Sequence, residues 1–265
     1  MTTVPTSQIR TMPGTDVSID QIDAVIFDMD GVVTDTARVH HQCWKEVFDA
    51  YLRRRAEKTG ETFRPFETAD YLRYVDGKPR YDGAANFLQS REIRLERGDP
   101  SDRPGYETVY GLANLKNHAF EETVAREGVH VFGSTVAFIR SLRKHGVLTA
   151  LISSSRHARG ILRSADIEDL FDEVVDGNDA VKHSLPGKPD PAIFLMAARQ
   201  LDVDPGRSAA VEDALAGVEA ARRGGFRLVI GVDRNSQADA LRAHGANIVV
   251  DDLDDLNVDL ISDNS

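Results

Sequence analysis

The fold of this chain is decided by residues 24–35, which read AVIFDMDGVVTD. The first four residues are apolar, and such a short run with β-branched side chains is typical of a buried strand. The carboxylates of Asp28 and Asp30 follow directly, and Gly31 allows the chain to turn away behind them. Charged groups at the end of a buried strand indicate a functional site at the carboxyl ends of the strands.

Several further apolar runs resemble this first strand. They lie at residues 147–152, 173–175, 209–211, 228–232 and 247–250. Amphipathic helical patterns separate them, for example over residues 134–145, where Val136, Ile139 and Leu142 share one face. Strands that alternate with helices predict an α/β fold with a Rossmann-like, doubly wound parallel sheet.

One interval between the predicted strands, residues 37–128, is too long for a simple crossover helix. It has helical periodicity of its own, with Trp44, Phe48 and Leu52 at helical spacing. Residues 91–108 hold two prolines and many charges, so we interpret them as a loop. The interval therefore predicts an inserted α-helical domain.

The predicted domain organisation follows from these patterns. Its parts are a disordered tail over residues 1–20, a core domain over residues 21–36 and 129–265, and the inserted helical domain over residues 37–128. Within the core, we expect the acidic end, residues 251–265, to form a short helix and a tail.

The composition excludes several classes of protein. A net charge of −11 opposes nucleic-acid binding, for which a basic surface is expected. No apolar run approaches the roughly 18 residues of a membrane-spanning helix, so we expect no membrane partner. The single cysteine, Cys43, excludes an internal disulfide and fits a reducing cytoplasm. We therefore expect a monomeric, cytoplasmic protein that acts on a small molecule.

Chemically reactive side chains fall at the predicted ends of several strands. They are Asp28, Asp30, the run Ser153–Arg156, Lys188, Glu212 and Asp213. A carboxylate that attacks a phosphate dianion faces strong repulsion, which a divalent cation and a lysine ammonium reduce. We therefore predict Asp28 as a covalent nucleophile, Asp30 as the acid and base for the alcohol proton, and Lys188 as the neutralising cation.

The same residue types predict a magnesium site. Mg²⁺ prefers oxygen ligands and takes one or two carboxylates from a protein, which Asp28 and Asp213 can supply. Ser153 and the amides after it can hold phosphate oxygens at the start of a helix. Structural interpretations exist beside these. The aspartates before Gly31 could form a turn, and Glu212 with Asp213 could favour a helix dipole.

These residues together resemble the haloacid dehalogenase superfamily over nearly the whole chain. Residues 28–32 match its first motif, Ser153 the second, Lys188 with Pro189 the third, and Glu212 with Asp213 the fourth. The inserted helical domain is similar in position to the mobile cap of that family. The resemblance implies that magnesium contacts Asp28, the carbonyl of Asp30 and Asp213, with Glu212 close by.

Within the superfamily the sequence resembles the β-phosphoglucomutases, which interconvert β-D-glucose 1-phosphate and glucose 6-phosphate through an aspartyl-phosphate enzyme and a bound bisphosphate. In the cap, this resemblance implies substrate contacts from His40, Trp44, Gly77, Arg80 and Lys116. In the core, it implies phosphate contacts from Ser154, Ser155, Arg156 and His157. The arginine of the cap loop, Arg80, is implied to grip the distal phosphate.

The sequence departs from the β-phosphoglucomutase pattern at three places. His157 stands where those enzymes usually have asparagine, and Gly133 with Ser134 replaces a Pro-Gly pair near the hinge. The cap segment 91–108 and residues 176–187, which we predict to form a loop, are longer than in short members of the family.

Three functions remain open at this point. The first is a sugar-phosphate mutase, and the second is a magnesium-dependent phosphatase of small sugar phosphates, which would use the same core residues. The third is a binding protein without activity, against which the presence of Asp28, Asp30, Lys188 and Asp213 argues.

Overall fold

The protein is represented by a computed structural model that describes residues 21–256. The predictions for the tail over residues 1–20 and for residues 257–265 lie outside the described residues. No helix between residues 21 and 256 is long and apolar enough to cross a membrane.

A six-stranded parallel sheet forms the centre of the core. Its strands are β1 (Ala24–Asp28), β2 (Leu148–Ile152), β3 (Glu173–Val175), β4 (Ser208–Glu212), β5 (Leu228–Val232) and β6 (Ile248–Val250). They are ordered β3-β2-β1-β4-β5-β6. The chain runs outward from β1 through β2 to β3 and then returns to the other side of β1. Asp28 therefore lies at the topological switch point, where open α/β sheets bind their ligands.

Helices cover both faces of the sheet. The core helices are α5 (Gly133–Lys144), α6 (Ala158–Ser164), α7 (Gly177–Lys182), α8 (Ala192–Gln200), α9 (Leu215–Arg223) and α10 (Ala238–His244). Two apolar clusters result, one around Phe27, Phe138 and Phe171 and one around Ile26 and Phe194. The prediction of a doubly wound parallel sheet is confirmed. Part of the segment 176–187 differs from its prediction as a loop, since it contains α7.

The first four α-helices after β1 lie in the segment 36–127, which we refer to as the cap. They are α1 (Thr36–Thr59), α2 (Thr68–Asp70), α3 (Arg80–Ser90) and α4 (Val109–Glu127), with a π-helical turn at Tyr71–Val75. The cap has its own apolar cluster, in which the ring centroids of Phe48 and Phe87 lie 4.3 Å apart. Residues 91–108 contain no helix or strand, as expected. Thr108 ends this loop by capping α4.

The two connections between core and cap run side by side. The amide of Asp35 donates to the carbonyl of His130 at 3.0 Å, and the amide of Phe132 donates to the carbonyl of Val33 at 3.0 Å. The hydroxyl of Thr135 donates to the carbonyl of Val32 at 2.7 Å. The linker after Asp30 and the linker before α5 are therefore joined to each other at the edge of the active site.

Candidate active site

Asp28 and Lys188 form a buried ion pair at the carboxyl end of β1. The Lys188 Nζ lies 2.5 Å from Asp28 Oδ1 and also contacts Glu212 Oε1. The second carboxylate oxygen of Asp28 accepts the amide of Asp30 at 3.0 Å. Asp28 is 5% exposed and Lys188 is 4% exposed. The nucleophile predicted from the sequence and its neutralising cation are thus in direct contact.

The charges of this group depend on one another. Burial raises the pKa of Asp28 well above its ordinary value, while the ammonium of Lys188 opposes that shift. Burial lowers the pKa of Lys188, but the carboxylates of Asp28 and Glu212 raise it above its ordinary value overall. Lys188 therefore remains a cation, and it reduces the repulsion that an incoming phosphate would meet.

The residues at the ends of β1 and β4 fit a divalent cation. Asp28, Glu212 and Asp213 each offer a carboxylate oxygen within 4.8 Å of the others. Asp213 Oδ2 is buried and has no hydrogen-bond partner among the described residues, so one oxygen is left available for an ion. Burial and the negative charges nearby raise the pKa of Asp213 well above its ordinary value. A hard cation held by oxygen ligands would remove that repulsion.

Asp30 is held in position by groups from both the core and the cap. Its Oδ2 accepts the hydroxyl of Ser153 at 3.2 Å, and its Oδ1 accepts the hydroxyl of Thr36. Nε2 of His40 lies 3.5 Å from the same Oδ1. Burial alone would raise the pKa of Asp30, but the charge and hydrogen bond of His40 lower it to about 2 overall. Asp30 is therefore held in the ionised form.

His40 and Lys116 form a second polar pair, on the cap side. The Lys116 Nζ contacts Nδ1 of His40 and lies 4.8 Å from the centroid of the Phe120 ring and 5.5 Å from that of Trp44. Burial lowers the pKa of Lys116 to about 7, and burial likewise lowers the pKa of His40. The cap therefore places a buried pair of basic side chains next to Asp30.

A cavity of about 400 Å³ lies between the core and the cap. Its lining includes most of the residues predicted from the sequence, namely Asp28, Asp30, His40, Trp44, Gly77, Arg80, Lys116, Ser154, Ser155, Arg156, Lys188 and Asp213. Three of the predicted residues do not line the cavity. Ser153 is fully buried and donates to Asp30, and Glu212 is fully buried beside Lys188. His157 lies to one side of the cavity.

His157 contacts the cap helix α4. Its Nε2 lies 3.0 Å from Asn117 Oδ1 and 3.4 Å from Glu121 Oε1. Burial lowers the pKa of His157, the negative charge of Glu121 raises it, and the positive charges of Arg80, Lys116 and Arg156 lower it, with a decrease overall. His157 therefore lies near both acidic and basic groups. The phosphate contact predicted for His157 stays a prediction.

Sequence reasoning missed two cap residues that the fold brings to the cavity, Tyr71 and Asp76. Asp76 is 8% exposed, and its side chain shares a hydrogen bond with Tyr71. Burial and the negative charge of Glu212 raise the pKa of Asp76 to about 7. The signal was weak because a π-helical turn, which no hydrophobic period reveals, brings the two side chains together.

The carboxylate at the switch point, the buried lysine, the acidic cluster and the helical cap meet at one cavity. Comparison with known proteins identifies the family in which this arrangement occurs. The family model of haloacid dehalogenase-like hydrolase matches residues 22–225. The chain belongs to this family of enzymes.

The relatives within the family differ in their activities. A β-phosphoglucomutase of Mycobacterium bovis is 44% identical over 241 residues, which cover 89% of this chain and 92% of that protein. A phosphorylated carbohydrates phosphatase of Thermotoga maritima is 34% identical over 241 residues, covering 89% and 98%. The crystal structure of β-phosphoglucomutase from Clostridium difficile has a TM-score of 0.71 at 26% identity, covering 91% and 95%.

Proposed function

We propose that this enzyme is a β-phosphoglucomutase that interconverts β-D-glucose 1-phosphate and glucose 6-phosphate. The observation that carries the proposal is a pair of basic side chains in the cavity that holds Asp28. Arg80 of the cap and Arg156 of the core line the same cavity as Asp28. Both raise the positive potential at His157. A mutase must hold two phosphates at once, so it needs such a second anion site.

The proposed cycle begins with the phosphoryl group on Asp28. A hydroxyl of the sugar monophosphate gives its proton to the Asp30 carboxylate and takes the phosphoryl group from Asp28, which forms the sugar bisphosphate. In the return step the Asp28 carboxylate attacks the other phosphorus atom, the bond to the sugar oxygen breaks, and Asp30 gives the same proton to that oxygen. Lys188 and Ser153 would stabilise the transferring group, because charged and polar donors here are preorganised and buried.

Magnesium fits the donor set described above. Asp28, Asp213 and the carbonyl of Asp30 would hold it, with Glu212 holding Lys188 beside it. The ion would supply charge neutralisation for the transferring phosphoryl group.

The cap would keep water from the phosphoenzyme. The hydroxyl of Ser154 donates to the carbonyl of Gly77 at 3.2 Å, which joins the core loop to the cap loop over the cavity. In this proposal Gly77 and Arg80 close the site, while Trp44, Lys116 and His40 surround the sugar. Exclusion of water favours transfer to a sugar hydroxyl over hydrolysis.

The test is a coupled assay with β-glucose 1-phosphate, Mg²⁺ and a trace of glucose bisphosphate, with free phosphate measured in parallel. The proposal predicts glucose 6-phosphate as the main product, with little phosphate release. Arg80→Ala should lower mutase turnover strongly, while the matched control Arg73→Ala, an exposed cap arginine, should not. Rapid phosphate release without glucose 6-phosphate would contradict the proposal.

A phosphatase of small sugar phosphates is the second candidate. The similarity to the phosphatase of Thermotoga maritima favours it, since that relative also aligns over most of its length. The core chemistry would be unchanged, with water in place of the sugar hydroxyl. A panel of sugar phosphates separates the candidates, because Arg80→Ala would then change hydrolysis of small substrates little.

A further inference from the structure

Arg234 lies outside every motif considered above, yet it contacts both connections between core and cap. It belongs to the loop after β5, at the same edge of the sheet as Asp28. Its Nε donates to the carbonyl of Gly31 at 2.9 Å. The carbon of its guanidinium lies 4.0 Å from the centroid of the Phe132 ring.

The hydrogen bond to the Gly31 carbonyl comes from outside the loop that contains Gly31. The amide of Gly31 donates to the carbonyl of Thr34, and the amides of Val33 and Thr34 both donate to the carbonyl of Met29. Arg234 therefore provides a donor from outside this tight loop, to a buried residue within it. A hydrogen bond from a charged donor is stronger than one between neutral groups.

Gly31 has little freedom to move. It has a φ of +85°, and a Cβ at this position would lie 1.9 Å from Asp213 Oδ2. Gly31 is therefore held between the metal cradle on one side and Arg234 on the other. Because Gly31 directly follows Asp30, its position constrains the backbone from which the Asp30 side chain and carbonyl extend.

Phe132 belongs to the linker that returns from the cap. Its amide donates to Val33, in the loop that carries Gly31. The edge of the Arg234 guanidinium thus donates to the linker after Asp30, and its face packs on the linker before α5. A planar cation can make both contacts at once. Its Nη1 is anchored to the core by the carbonyl of Asp251 at 3.1 Å.

We propose that Arg234 is a positioning residue that clamps the Asp30 loop to the returning linker, so that Asp30 stays aligned for proton transfer when the cap closes. This inference rests on the proposed role of Asp30 as the acid and base. It assigns to Arg234 no contact with substrate.

The chemistry of the leaving group gives a specific test. A sugar oxygen is a poor leaving group and needs a proton from Asp30, whereas acetate leaves acetyl phosphate without one. Loss of Asp30 alignment should therefore slow the reaction of sugar phosphates and spare that of acetyl phosphate. General damage to the fold would slow both.

The experiment compares kcat/KM for a sugar phosphate and for acetyl phosphate in the parent enzyme, Arg234→Leu, Arg234→Lys and Asp30→Asn. The matched control is Arg242→Leu, an exposed arginine on the neighbouring helix α10. For Arg234→Leu we expect a loss of at least about tenfold with the sugar phosphate and less than about twofold with acetyl phosphate. Arg234→Lys should fall between, because lysine keeps a donor but not the planar face.

Each outcome decides a separate point. Equal losses with both phosphates, or no loss with either, in Arg234→Leu would overturn the clamp if Asp30→Asn is selective. If Asp30→Asn itself shows no selectivity, the proposed role of Asp30 is wrong and the clamp falls with it. Phe132→Leu provides a second variant if Arg234→Leu does not fold, and it should show the same selectivity to a smaller degree.

Discussion

At the scale of single residues, Lys188 is the cation shared by two buried carboxylates of the site. It is 4% exposed and contacts two carboxylates, those of Asp28 and Glu212. A buried ion pair adds little stability as such, but removal of one partner leaves an uncompensated buried charge. Lys188 therefore contributes to the fold as well as to the chemistry.

Lys188→Met should lower the free energy of unfolding by about 3–5 kcal/mol without metal, because Asp28 and Glu212 lose their cation. Mg²⁺ should restore part of that loss, since the ion binds the same acids. Chemical denaturation with and without Mg²⁺ measures both effects. The control Lys182→Met alters an exposed lysine and should change stability by less than about 0.5 kcal/mol. A loss of similar size in both variants would contradict this account.

Asp76 gives a prediction about pH. Burial raises the pKa of Asp76 from 3.8 to about 7 in the native protein. The native state therefore keeps a proton that the unfolded chain has lost, and stability falls as pH rises from about 4 to about 7. Asp76→Asn removes this dependence. The Tm of Asp76→Asn minus the Tm of the parent should therefore increase from pH 5 to pH 8 without metal.

The control for this pH comparison is Asp82→Asn, which replaces an exposed acid of the same cap segment. Thermal unfolding in the presence of a chelator provides the measurement. A relative Tm for Asp76→Asn that stays constant or falls between pH 5 and pH 8 would disprove the assigned role of the Asp76 charge.

At the scale of elements, the contact between the cap loop and the core loops decides how the site closes. A Cβ on Gly187 would lie 2.4 Å from Pro79 Cδ, and a Cβ on Gly77 would lie 3.0 Å from the Cβ of Ala214. The loop that precedes Arg80 can approach the core this closely because these two positions have no side chain. The proline ring is rigid and cannot move aside.

Gly187→Ala should therefore prevent full closure of the cap. We expect kcat/KM for a sugar phosphate to fall by about 10- to 100-fold, since small displacements of a binding group cost this much. Tm should change little, because the clash is relieved when the cap opens. Gly160→Ala is the control, since a Cβ there meets no atom within 4 Å. Unchanged kinetics in Gly187→Ala would show that this contact does not limit closure.

Some elements could be predicted from the sequence and others could not, for physical reasons. The strand before Asp28 is apolar throughout because both faces of a parallel sheet are buried, so its pattern is unambiguous. Helix α7 was missed because it is short and begins with a capping box at Asp176 and Asp179 instead of an apolar stripe. The pairing of Tyr71 with Asp76 arises from a π-helical turn, which leaves no periodic signal.

The same limits apply to the site. The order of the motifs along the chain predicted that Asp28, Lys188 and Asp213 lie at one edge of the sheet. This followed because parallel strands have their carboxyl ends at the same edge. Nothing local in the sequence links Arg234 to Gly31, which lie far apart in the chain and meet only through the sheet order. Contacts of this kind depend on tertiary structure, so residue patterns alone do not reveal them.

At the scale of the whole molecule, the two antiparallel linkers suggest a cap that moves as a unit. The cap has its own apolar cluster, and its loop meets the core through the bond from Ser154 to Gly77. We predict that the chain without ligand is more open than this structure. Small-angle scattering should show a smaller radius of gyration with Mg²⁺, glucose 6-phosphate and a metal fluoride that mimics phosphate. Identical profiles would contradict cap closure in solution.

The central claim is that Asp28 carries the phosphoryl group, and it can be tested directly. The enzyme is mixed with acetyl phosphate and Mg²⁺, quenched in acid within one turnover, digested and analysed by mass spectrometry. The account predicts one acid-stable, base-labile phosphoryl group on the peptide that holds residues 24–35, located at Asp28. Asp28→Asn should remove it, and Asp30→Asn should not. Turnover without any phosphorylated Asp28, or a phosphoryl group on another residue, would contradict the account.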